Sequence, residues 1–180
     1  MTDSVRNNEP HANPTGPLRG VRVLEIGHYI AAPHCTMMLA DQGADVIKVE
    51  PVGGEPGRKA PPFSDSGESL AFACHNRGKR SVTIDLTKPE SREALDALLR
   101  WADIVVTNYT YGIPEKLGFG FERLSKVNPR AVMVHVTGYS TAGSRRDHGA
   151  VDPAIQAVSG FCDLTGEPHG APQIIQFFLA

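Results

Sequence analysis

The hydrophobic and polar positions near the start of the chain predict a strand, a helix and a second strand in close succession. Residues 21–26 alternate in the manner of a strand before Gly27 ends it, and residues 45–50 form a similar stretch. Between them, Pro33 favours the start of a helix because its missing N–H costs nothing in the first turn, and Gly43 stands where the C-cap belongs. This order is a βαβ unit, which implies parallel pairing of the two strands.

The same alternation of strands and helices continues along the rest of the chain. Residues 51–80 interrupt it, because their many prolines and glycines predict a loop that is too long to be a simple connection. The later predicted elements are strands over residues 81–86, 103–107 and 131–137, helices over residues 89–101 and 152–161, and short helical pieces around Glu115 and over residues 121–126. This order predicts an α/β fold with an open, mainly parallel sheet and helices on both faces.

Ligand-binding residues of an open parallel sheet are expected outside the carboxyl ends of its strands. In this sequence those ends fall on residues 27–29, on the loop over residues 51–80, on Asn108 and Tyr109, and on residues 138–139. Functional side chains are therefore expected in these four segments.

Composition and charge narrow the picture by exclusion. The chain of 180 residues carries 18 Lys and Arg against 20 Asp and Glu, and this net charge of −2 favours neither nucleic acid nor an anionic membrane as a partner. Cys35, Cys74 and Cys162 lie far apart, which argues against a disulfide framework and against a zinc site. Residues 1–16 lack the apolar core of a signal peptide, and no apolar run approaches the roughly 18 residues of a membrane helix. We expect a flexible leader over residues 1–16 and a cytoplasmic protein.

Known nucleotide-binding and hydrolase motifs are missing from the strand ends. Residues 27–32 stand where a dinucleotide fingerprint would follow the first strand, but they keep only its first glycine, and the sequence contains no Walker motif. Residues 138–142 resemble the start of a nucleophile elbow, yet Ala142 replaces its final glycine and a loop follows instead of a helix. A standard NAD or FAD site and a serine hydrolase are therefore disfavoured.

A dense group of basic residues before the third strand has two interpretations. Arg77, Lys79 and Arg80 form either a solvated turn or an anion-binding cluster, because arginine and lysine supply charge-assisted donors to phosphate. The residues alone leave this choice open.

Other polar residues also admit both a structural and a functional interpretation. Asn108 and Tyr109 are either turn residues or part of a site in which the tyrosine offers a flat face to a purine ring. Lys116 by itself is interpreted as a surface lysine. Asp152 either caps the helix that Pro153 opens or belongs to a site that faces the strand ends.

Several segments together resemble one known family. These segments are LRGVRVLEI (residues 18–26), AAP (31–33), LADQGADVIKVEP (39–51), NRGKRSVTIDL (76–86), ADIVVTNY (102–109) and LGFG (117–120). In the same order, they resemble the N-terminal part of the family III coenzyme A transferases, the CaiB/BaiF group, which includes formyl-CoA transferase, carnitine CoA-transferase and α-methylacyl-CoA racemase. The resemblance covers residues 17–180.

The resemblance implies a Rossmann-like large domain that binds coenzyme A along its strand ends, with residues 17–180 as its N-terminal part. The coenzyme A contacts of the family fall on Ile30, Ile84, Asn108, Tyr109 and Lys116, with Ala31 close to the thioester. Coenzyme A or acyl-CoA would be a substrate and not a resident cofactor, a carboxylic acid would be the acceptor, and no metal, nucleic acid or membrane is implied. Full-length members are interlocked homodimers. The resemblance also implies that this chain is an incomplete large domain.

The chemistry that the resemblance implies is a covalent exchange at an aspartate nucleophile. The aspartate would attack an acyl-CoA thioester to give a mixed anhydride, coenzyme A would return to form an enzyme thioester, and the acceptor carboxylate would then collect coenzyme A. Asp152 would be a supporting carboxylate, and the nucleophile is expected just beyond Ala180. The 180-residue chain alone is therefore expected to be inactive.

Two departures from the family pattern bear on the reaction. Racemases of the family carry a histidine before the acid that matches Asp152, whereas Val151 stands here and His148 lies outside the matching position. Since racemisation needs a base on each side of the α-carbon, transfer is favoured. Ile30 replaces a glutamine of formyl-CoA transferase, which argues against formyl and oxalyl substrates. The alternatives to a transferase are a racemase-like enzyme and a non-catalytic module for coenzyme A binding or dimer formation.

Overall fold

A parallel sheet with helices on both faces forms the centre of the molecule. The computed structural model describes residues 15–175, so nearly all of the expected leader lies outside the described residues. The strands are β1 (Arg22–Glu25), β2 (Asp45–Glu50), β3 (Lys79–Thr83), β4 (Ile104–Thr107) and β5 (Val132–His135). The helices are α1 (Ala31–Asp41), α2 (Leu70–Asn76), α3 (Arg92–Trp101), α4 (Ile113–Leu117), α5 (Phe121–Val127), α6 (Asp152–Val158) and α7 (Phe161–Leu164). This alternation confirms the α/β fold expected from the sequence.

The strands pair in parallel, and their order in the sheet is β3-β2-β1-β4-β5. The register places Leu24 of β1 beside Ile47 of β2 and beside Val105 of β4. The chain therefore adds β2 and β3 on one side of β1 and then crosses over to add β4 and β5 on the other. The strand order reverses between β1 and β4, which is the switch point where open sheets of this kind bind ligands.

Neighbouring residues of β1 point to opposite faces of the sheet, and each face has its own apolar core. Leu24 packs in the cluster to which Leu95 and Leu99 of α3 belong. Val23 packs on the other face, in the cluster that contains Ala32 of α1. Leu24 and Val23 are both fully buried, and each such side chain contributes about 1.5–3 kcal/mol to folding. A central strand that is apolar on both faces therefore explains why helices cover both sides.

Helix α3 shows how the sequence determines one of these packed elements. Leu95 and Leu99 lie four residues apart, so both face the sheet and both are buried. The carbonyls at the end of α3 are capped by the carboxamide of Asn128, which donates to Leu99 O at 3.1 Å and to Ala102 O at 2.8 Å. The amphipathic helix predicted over residues 89–101 is thereby confirmed.

The segment over residues 51–80 differs from the long loop expected from its prolines and glycines. It contains a short 3-10 helix (Pro56–Lys59) and α2, which begins where Ser69 Oγ accepts a hydrogen bond from Phe72 N at 3.1 Å. β3 begins at Lys79, earlier than the predicted strand, and the Lys79 ammonium is buried against a carboxylate. The order of this segment rests on polar contacts, which composition alone does not reveal.

Within residues 15–175, no helix has the length and the apolar character needed to cross a membrane. The same residues contain no group of three or more His, Cys, Asp or Glu side chains that are placed to hold a metal ion. Cys35, Cys74 and Cys162 are free thiols.

Candidate functional site

An open cavity of about 710 Å³ lies at the carboxyl ends of β1, β4 and β5. Its wall is formed by the segment after β1, by α2, by the segment after β4, and by the loop that leads from β5 into α6. Among its lining residues are His28, Tyr29, Ile30, Ala31, Asn108, Tyr109, Arg146, His148 and Asp152. This cavity has the volume and the position of a ligand site in an open parallel sheet.

One side chain fixes the segment between β1 and α1 to the end of β4. The Asn108 carboxamide accepts a hydrogen bond from His28 N at 3.0 Å and donates one to His28 O at 2.8 Å. Gly27 permits this close approach, because a Cβ at that position would lie 2.7 Å from both Asn108 Oδ1 and Ala32 Cβ. The two strands that flank the switch point are thus joined at the cavity wall.

Aromatic rings cover this part of the cavity wall. The His28 ring lies edge-on to Tyr109, with 4.9 Å between the ring centroids, and to Tyr29, with 5.2 Å. Burial, together with the nearby Lys48 charge, lowers the pKa of His28, and burial together with the Glu55 charge raises the pKa of Tyr109. Both rings are therefore uncharged near neutral pH and offer aromatic surface to a ligand.

Four charged side chains, Glu25, Lys48, Glu55 and Lys79, form a buried charge cluster beside the β1–α1 segment. Glu25 binds two ammonium groups, Lys48 Nζ at 2.5 Å and Lys79 Nζ at 2.7 Å, and it also accepts a hydrogen bond from Thr36 Oγ1 at 2.6 Å. Glu55 lies 3.5 Å from Lys48 Nζ, and none of the four side chains is more than 2% exposed. Two carboxylates thus face two ammonium groups, which is the balance that burial of charge requires.

The buried charge cluster also holds the backbone at three points, two in the β1–α1 segment and one in the first turn of α1. Its two ammonium groups donate to the carbonyls of Gly27 and Pro33, at 3.2 Å and 2.7 Å. Between these two points, Glu55 Oε2 accepts a hydrogen bond from Tyr29 N at 2.9 Å. The segment that carries much of the cavity wall is therefore held from behind by buried polar groups.

Asp152 stands at the start of α6 and lines the cavity. The N-cap of this helix is Val151 and has no side-chain hydrogen bond, so the alternative in which Asp152 is the capping residue is wrong. Asp152 Oδ2 accepts a hydrogen bond from Gln156 Nε2 at 2.5 Å. Asp152 thus lines the cavity and its carboxylate is oriented in part by Gln156, while its role in a site stays a prediction.

Gln156 connects Asp152 to the last described residues of the chain. Its Oε1 accepts a hydrogen bond from Ile175 N at 3.0 Å, and its Nε2 donates to Ile175 O at 3.1 Å. The chain at Ile175 is thus fixed to the helix that carries Asp152. Residues 176–180 lie outside the described residues, as does the position expected for the nucleophile beyond Ala180.

The structure brings most of the predicted site residues to the cavity wall and places two of them away from it. Those at the wall are Ile30, Ala31, Asn108, Tyr109 and Asp152. Ile84 is 9% exposed and packs in the apolar core, where its N–H donates to Glu50 O at 2.9 Å. Lys116 is exposed on α4, one helical turn from Ile113, which does line the cavity. The roles that the family resemblance assigns to these residues remain predictions.

The basic residues Arg77, Lys79 and Arg80, just before and at the start of β3, are ion-pair partners within the fold. Arg77 pairs with Asp41 at 2.5 Å and Arg80 pairs with Asp45 at 2.6 Å, both at the surface. Lys79 belongs to the buried charge cluster. As far as residues 15–175 define the cavity, none of these three basic residues lines it. The solvated-turn interpretation therefore fits residues 77–78, which form an exposed turn directly before β3, whereas the anion-binding interpretation gains no support from these contacts.

Sequence reasoning missed the buried charge cluster and the polar side of the cavity. Lys48 and Glu25 stand directly beside apolar residues of strands β2 and β1, and a charge at such a position is the signal that could have revealed them. Arg146 and His148 reach the cavity from the loop before α6, where the Arg146 guanidinium lies 5.0 Å from the centre of the Tyr111 ring. The loop shows no regular alternation of hydrophobic and polar residues. The positions of Arg146 and His148 at the cavity therefore could not be predicted from the sequence.

Comparison with known proteins agrees with this architecture. The family described as CoA-transferase family III matches residues 18–180. The chain therefore belongs to CoA-transferase family III, and the resemblance inferred from its motifs is confirmed.

Two relatives and one solved structure show how far the similarity extends. The succinate–glutarate CoA-transferase of Agrobacterium fabrum is 42% identical over 96% of this chain and 43% of its own length. The succinyl-CoA–L-malate CoA-transferase beta subunit of Chloroflexus aurantiacus is 40% identical over 88% of this chain and 39% of its own. The crystal structure of a CaiB/BaiF family protein from Brucella suis matches with a TM-score of 0.84 and 38% identity, over 90% of this chain and 44% of that one. This chain thus spans about two fifths of the length of the curated relatives it matches.

Proposed function

We propose that the complete protein is an acyl-CoA transferase that moves coenzyme A between carboxylic acids. The observation that carries this proposal is the cavity at the switch point between β1 and β4, where Asn108 fixes the β1–α1 segment in a chain of CoA-transferase family III. Ile30, Ala31 and Tyr109, which the family resemblance assigns to coenzyme A, line the same cavity.

The chemical character of the cavity wall suits coenzyme A. The rings of His28 and Tyr109 supply an aromatic surface of the kind that packs against a purine. Arg146 and His148 line the same cavity and offer hydrogen-bond donors to phosphate or carboxylate oxygens. Helix α1, with 11 residues, begins at Ala31 in the wall, and the positive end of its dipole favours an anion there.

For the covalent steps we propose the chemistry of the family resemblance, with an aspartate just beyond Ala180 as the nucleophile. Its carboxylate oxygen bonds to the thioester carbonyl of the donor, the C–S bond breaks, and the coenzyme A thiolate leaves. The thiolate then attacks the aspartyl carbonyl of the mixed anhydride, which releases the donor acid as a carboxylate and forms an enzyme thioester. The acceptor carboxylate attacks this thioester and again releases the thiolate. Attack of that thiolate on the acceptor carbonyl yields the new acyl-CoA and restores the aspartate.

Asp152 is proposed as the supporting carboxylate of this reaction. Gln156 binds the Asp152 carboxylate and both backbone groups of Ile175, so the chain that leads towards the proposed nucleophile is fixed beside α6. This arrangement supports the proposal because covalent catalysis needs its reacting groups held in a defined geometry.

Dicarboxylic acids are the proposed substrate class. The two relatives described above are named for succinate and glutarate and for succinyl-CoA and malate. Arg146 supports this choice, because a guanidinium group binds a carboxylate through two parallel hydrogen bonds. Arg146 also pairs with the neighbouring Asp147 at 3.2 Å, and both side chains are exposed, so a substrate carboxylate can share or replace that contact.

The test supplies the complete protein with succinyl-CoA and, separately, with glutarate, malate or acetate. We expect a new acyl-CoA with the dicarboxylic acceptors, formed in an amount equal to the donor consumed. Hydroxylamine added during turnover should inactivate the protein only when an acyl-CoA is present, and peptide mapping should locate the modified aspartate directly after residue 180. A folded protein that exchanges no acyl group with any acceptor would contradict the proposal.

A racemase is the second candidate, and one observation favours it. His148 and Asp152 line the same cavity, and a racemase needs two proton-carrying groups at one α-carbon. A racemase would exchange the α-hydrogen of a 2-methylacyl-CoA with deuterium from the solvent, whereas a transferase would leave it in place. Coenzyme A binding without either reaction would instead support the non-catalytic module.

We also propose that the complete protein is a homodimer, as the family resemblance implies. The edge strand β5 supports this, since Val132 and Val134 are apolar side chains that residues 15–175 leave exposed. Light scattering of the complete protein tests the proposal, and a monomer at micromolar concentration would contradict it.

A further inference from the structure

Tyr29 has a backbone conformation that few residues with a side chain adopt. Its φ is 61°, in the left-handed region that favours glycine. Burial of the ring does not explain this conformation, because Tyr29 is 51% exposed and the described ring contact is an edge-on one with the neighbouring His28. A strained residue at a cavity wall persists only where surrounding contacts hold it.

Glu55 makes the contact that holds Tyr29. Glu55 Oε2 accepts a hydrogen bond from Tyr29 N at 2.9 Å, and Glu55 is 1% exposed. Glu55 lies directly behind the cavity wall, because a Cβ at the lining residue Gly57 would lie 2.9 Å from Glu55 Oε1. Glu55 is held in turn by its own N–H, which donates to Glu50 Oε2 at 3.1 Å. A fixed and buried acceptor therefore meets the N–H of the strained residue.

Charge pairing alone does not account for the position of Glu55. Lys48 Nζ lies 3.5 Å from Glu55 Oε1, whereas the same ammonium lies 2.5 Å from Glu25. Among the described residues, Glu55 Oε1 has no hydrogen-bond partner. The shortest described polar contact of this carboxylate is therefore the one with Tyr29 N.

We infer that Glu55 is a positioning residue for substrate binding, because its carboxylate holds Tyr29 in the left-handed conformation and so sets the direction of Ile30 and Ala31 at the cavity wall. Ile30 is the N-cap of α1 and Ala31 is its first residue, so a rotation at Tyr29 redirects both. The inference rests on the proposed function, since these are the residues expected to contact coenzyme A. Without the acceptor, Tyr29 is free to leave the left-handed region and the wall changes shape.

Two substitutions at position 55 separate the hydrogen bond from the charge. Glu55→Ala removes the charge and the acceptor, whereas Glu55→Gln removes the charge and keeps an amide oxygen for Tyr29 N. Both variants leave the buried lysines with one carboxylate fewer, so both should lower the Tm. The difference between the two variants therefore reports on the hydrogen bond. Glu68→Gln, at an exposed glutamate of the same segment, is the matched control.

Each variant of the complete protein is studied by titration calorimetry with coenzyme A and by hydrogen exchange at the Tyr29 amide. We expect Glu55→Ala to weaken coenzyme A binding about tenfold and to speed exchange of the Tyr29 amide about tenfold or more, because a bond to a buried carboxylate is lost. Glu55→Gln should stay within about threefold of the unsubstituted protein in both measurements, because its amide oxygen still accepts the bond. Glu68→Gln should match the unsubstituted protein.

Equal coenzyme A affinities and equal Tyr29 exchange rates in Glu55→Ala and Glu55→Gln would overturn the inference, since the two variants differ in the acceptor that Tyr29 meets. A failure of the proposed function gives a different result. If the unsubstituted protein binds no coenzyme A, that function is wrong, and the exchange rates of the Tyr29 amide alone then decide whether Glu55 positions the segment.

Discussion

The side chain of Asn108 pairs with the backbone of His28 through two hydrogen bonds, one in each direction, at 3.0 Å and 2.8 Å. This pair continues the connection between β1 and β4, where Ile26 N donates to Val106 O at 2.9 Å. An asparagine carboxamide thus takes the place of a further backbone pairing at the point where the two strands open into the cavity. The shape of the cavity wall consequently depends on this residue.

Asn108→Ala should weaken coenzyme A binding as well as the fold. The substitution removes both hydrogen bonds to His28, so we expect the free energy of unfolding to fall by about 1–3 kcal/mol and the affinity for coenzyme A to fall about tenfold. Asn128→Ala is the control, because its carboxamide also binds backbone carbonyls but does so at the end of α3. Denaturant unfolding and calorimetry should show that the control loses stability and keeps its affinity. Equal losses of affinity in the two variants would contradict a special role for Asn108.

Gly27→Ala should disturb the same junction by a steric route. A Cβ at Gly27 would lie 2.7 Å from Asn108 Oδ1 and from Ala32 Cβ, so the segment must move apart. We expect a loss of about 1–3 kcal/mol in the free energy of unfolding, measured in urea. Gly143→Ala serves as the control, because its Cβ would meet Ser140 O at an ordinary 3.6 Å. Unchanged stability in Gly27→Ala would show that the junction is not tightly packed.

Glu25 is the carboxylate on which both ammonium groups of the buried charge cluster depend. Glu25→Gln leaves Lys48 and Lys79 buried with one carboxylate fewer, and we expect the free energy of unfolding to fall by about 3–5 kcal/mol. Asp41→Asn breaks the exposed pair with Arg77 and should cost at most about 1 kcal/mol. Urea unfolding of both variants measures these losses. A similar loss in the free energy of unfolding for the two variants would show that the buried ion pairs of Glu25 contribute no more than an exposed pair.

The pair of Glu50 and Arg58 should make stability depend on pH. Burial raises the pKa of Glu50, but hydrogen bonds from Arg58, Ser81 and the Glu55 N–H outweigh it and lower the pKa to about 2. A carboxyl group whose pKa is lower in the folded state contributes stability above its unfolded pKa and loses it as the pH falls through the folded pKa. The stability that Glu50 contributes should therefore be complete at a pH above 4.5, its ordinary pKa. It should disappear as the pH falls towards about 2.

Arg58→Met is the variant that tests this dependence, because it removes the charge but keeps an apolar side chain over the Phe72 ring, which lies 4.0 Å from the guanidinium. At pH 7 the variant should be less stable than the unsubstituted protein by about 1–3 kcal/mol, and the difference should narrow towards pH 2. Arg80→Met breaks an exposed pair with Asp45. Its free energy of unfolding should therefore differ little from that of the unsubstituted protein at every pH between 7 and 2. A difference for Arg58→Met that stays constant down to pH 2 would contradict the account.

The centre of the fold could be predicted because its elements depend on local patterns. The strand over residues 45–50 carries three β-branched residues in a short stretch, and the helix over residues 89–101 presents Leu95 and Leu99 on one face, so both follow from short stretches of sequence. The segment over residues 51–80 could not be predicted in the same way. Its helices are ordered by polar contacts such as the capping bond of Ser69, and its composition resembles that of a loop.

The candidate site could be predicted where it depends on strand ends. Asn108 and Tyr109 directly follow a recognisable strand, so their place at the edge of the sheet follows from the topology. Glu55 and Arg146 reach the site through the folding of long segments, and no hydrophobic period encodes such positions. Lys48 is an intermediate case, because a charge in a buried strand signals a polar cluster without naming its partners.

Hydrogen exchange of the complete protein, with and without coenzyme A, tests the central claim most directly. The claim is that coenzyme A binds in the cavity between the ends of β1 and β4. Binding should slow the exchange of amides over residues 27–32 and 108–113 and should leave α5, which packs on the same face of the sheet as α3, unchanged. Unchanged exchange in the first two segments, whether coenzyme A binds elsewhere or does not bind, would contradict the account.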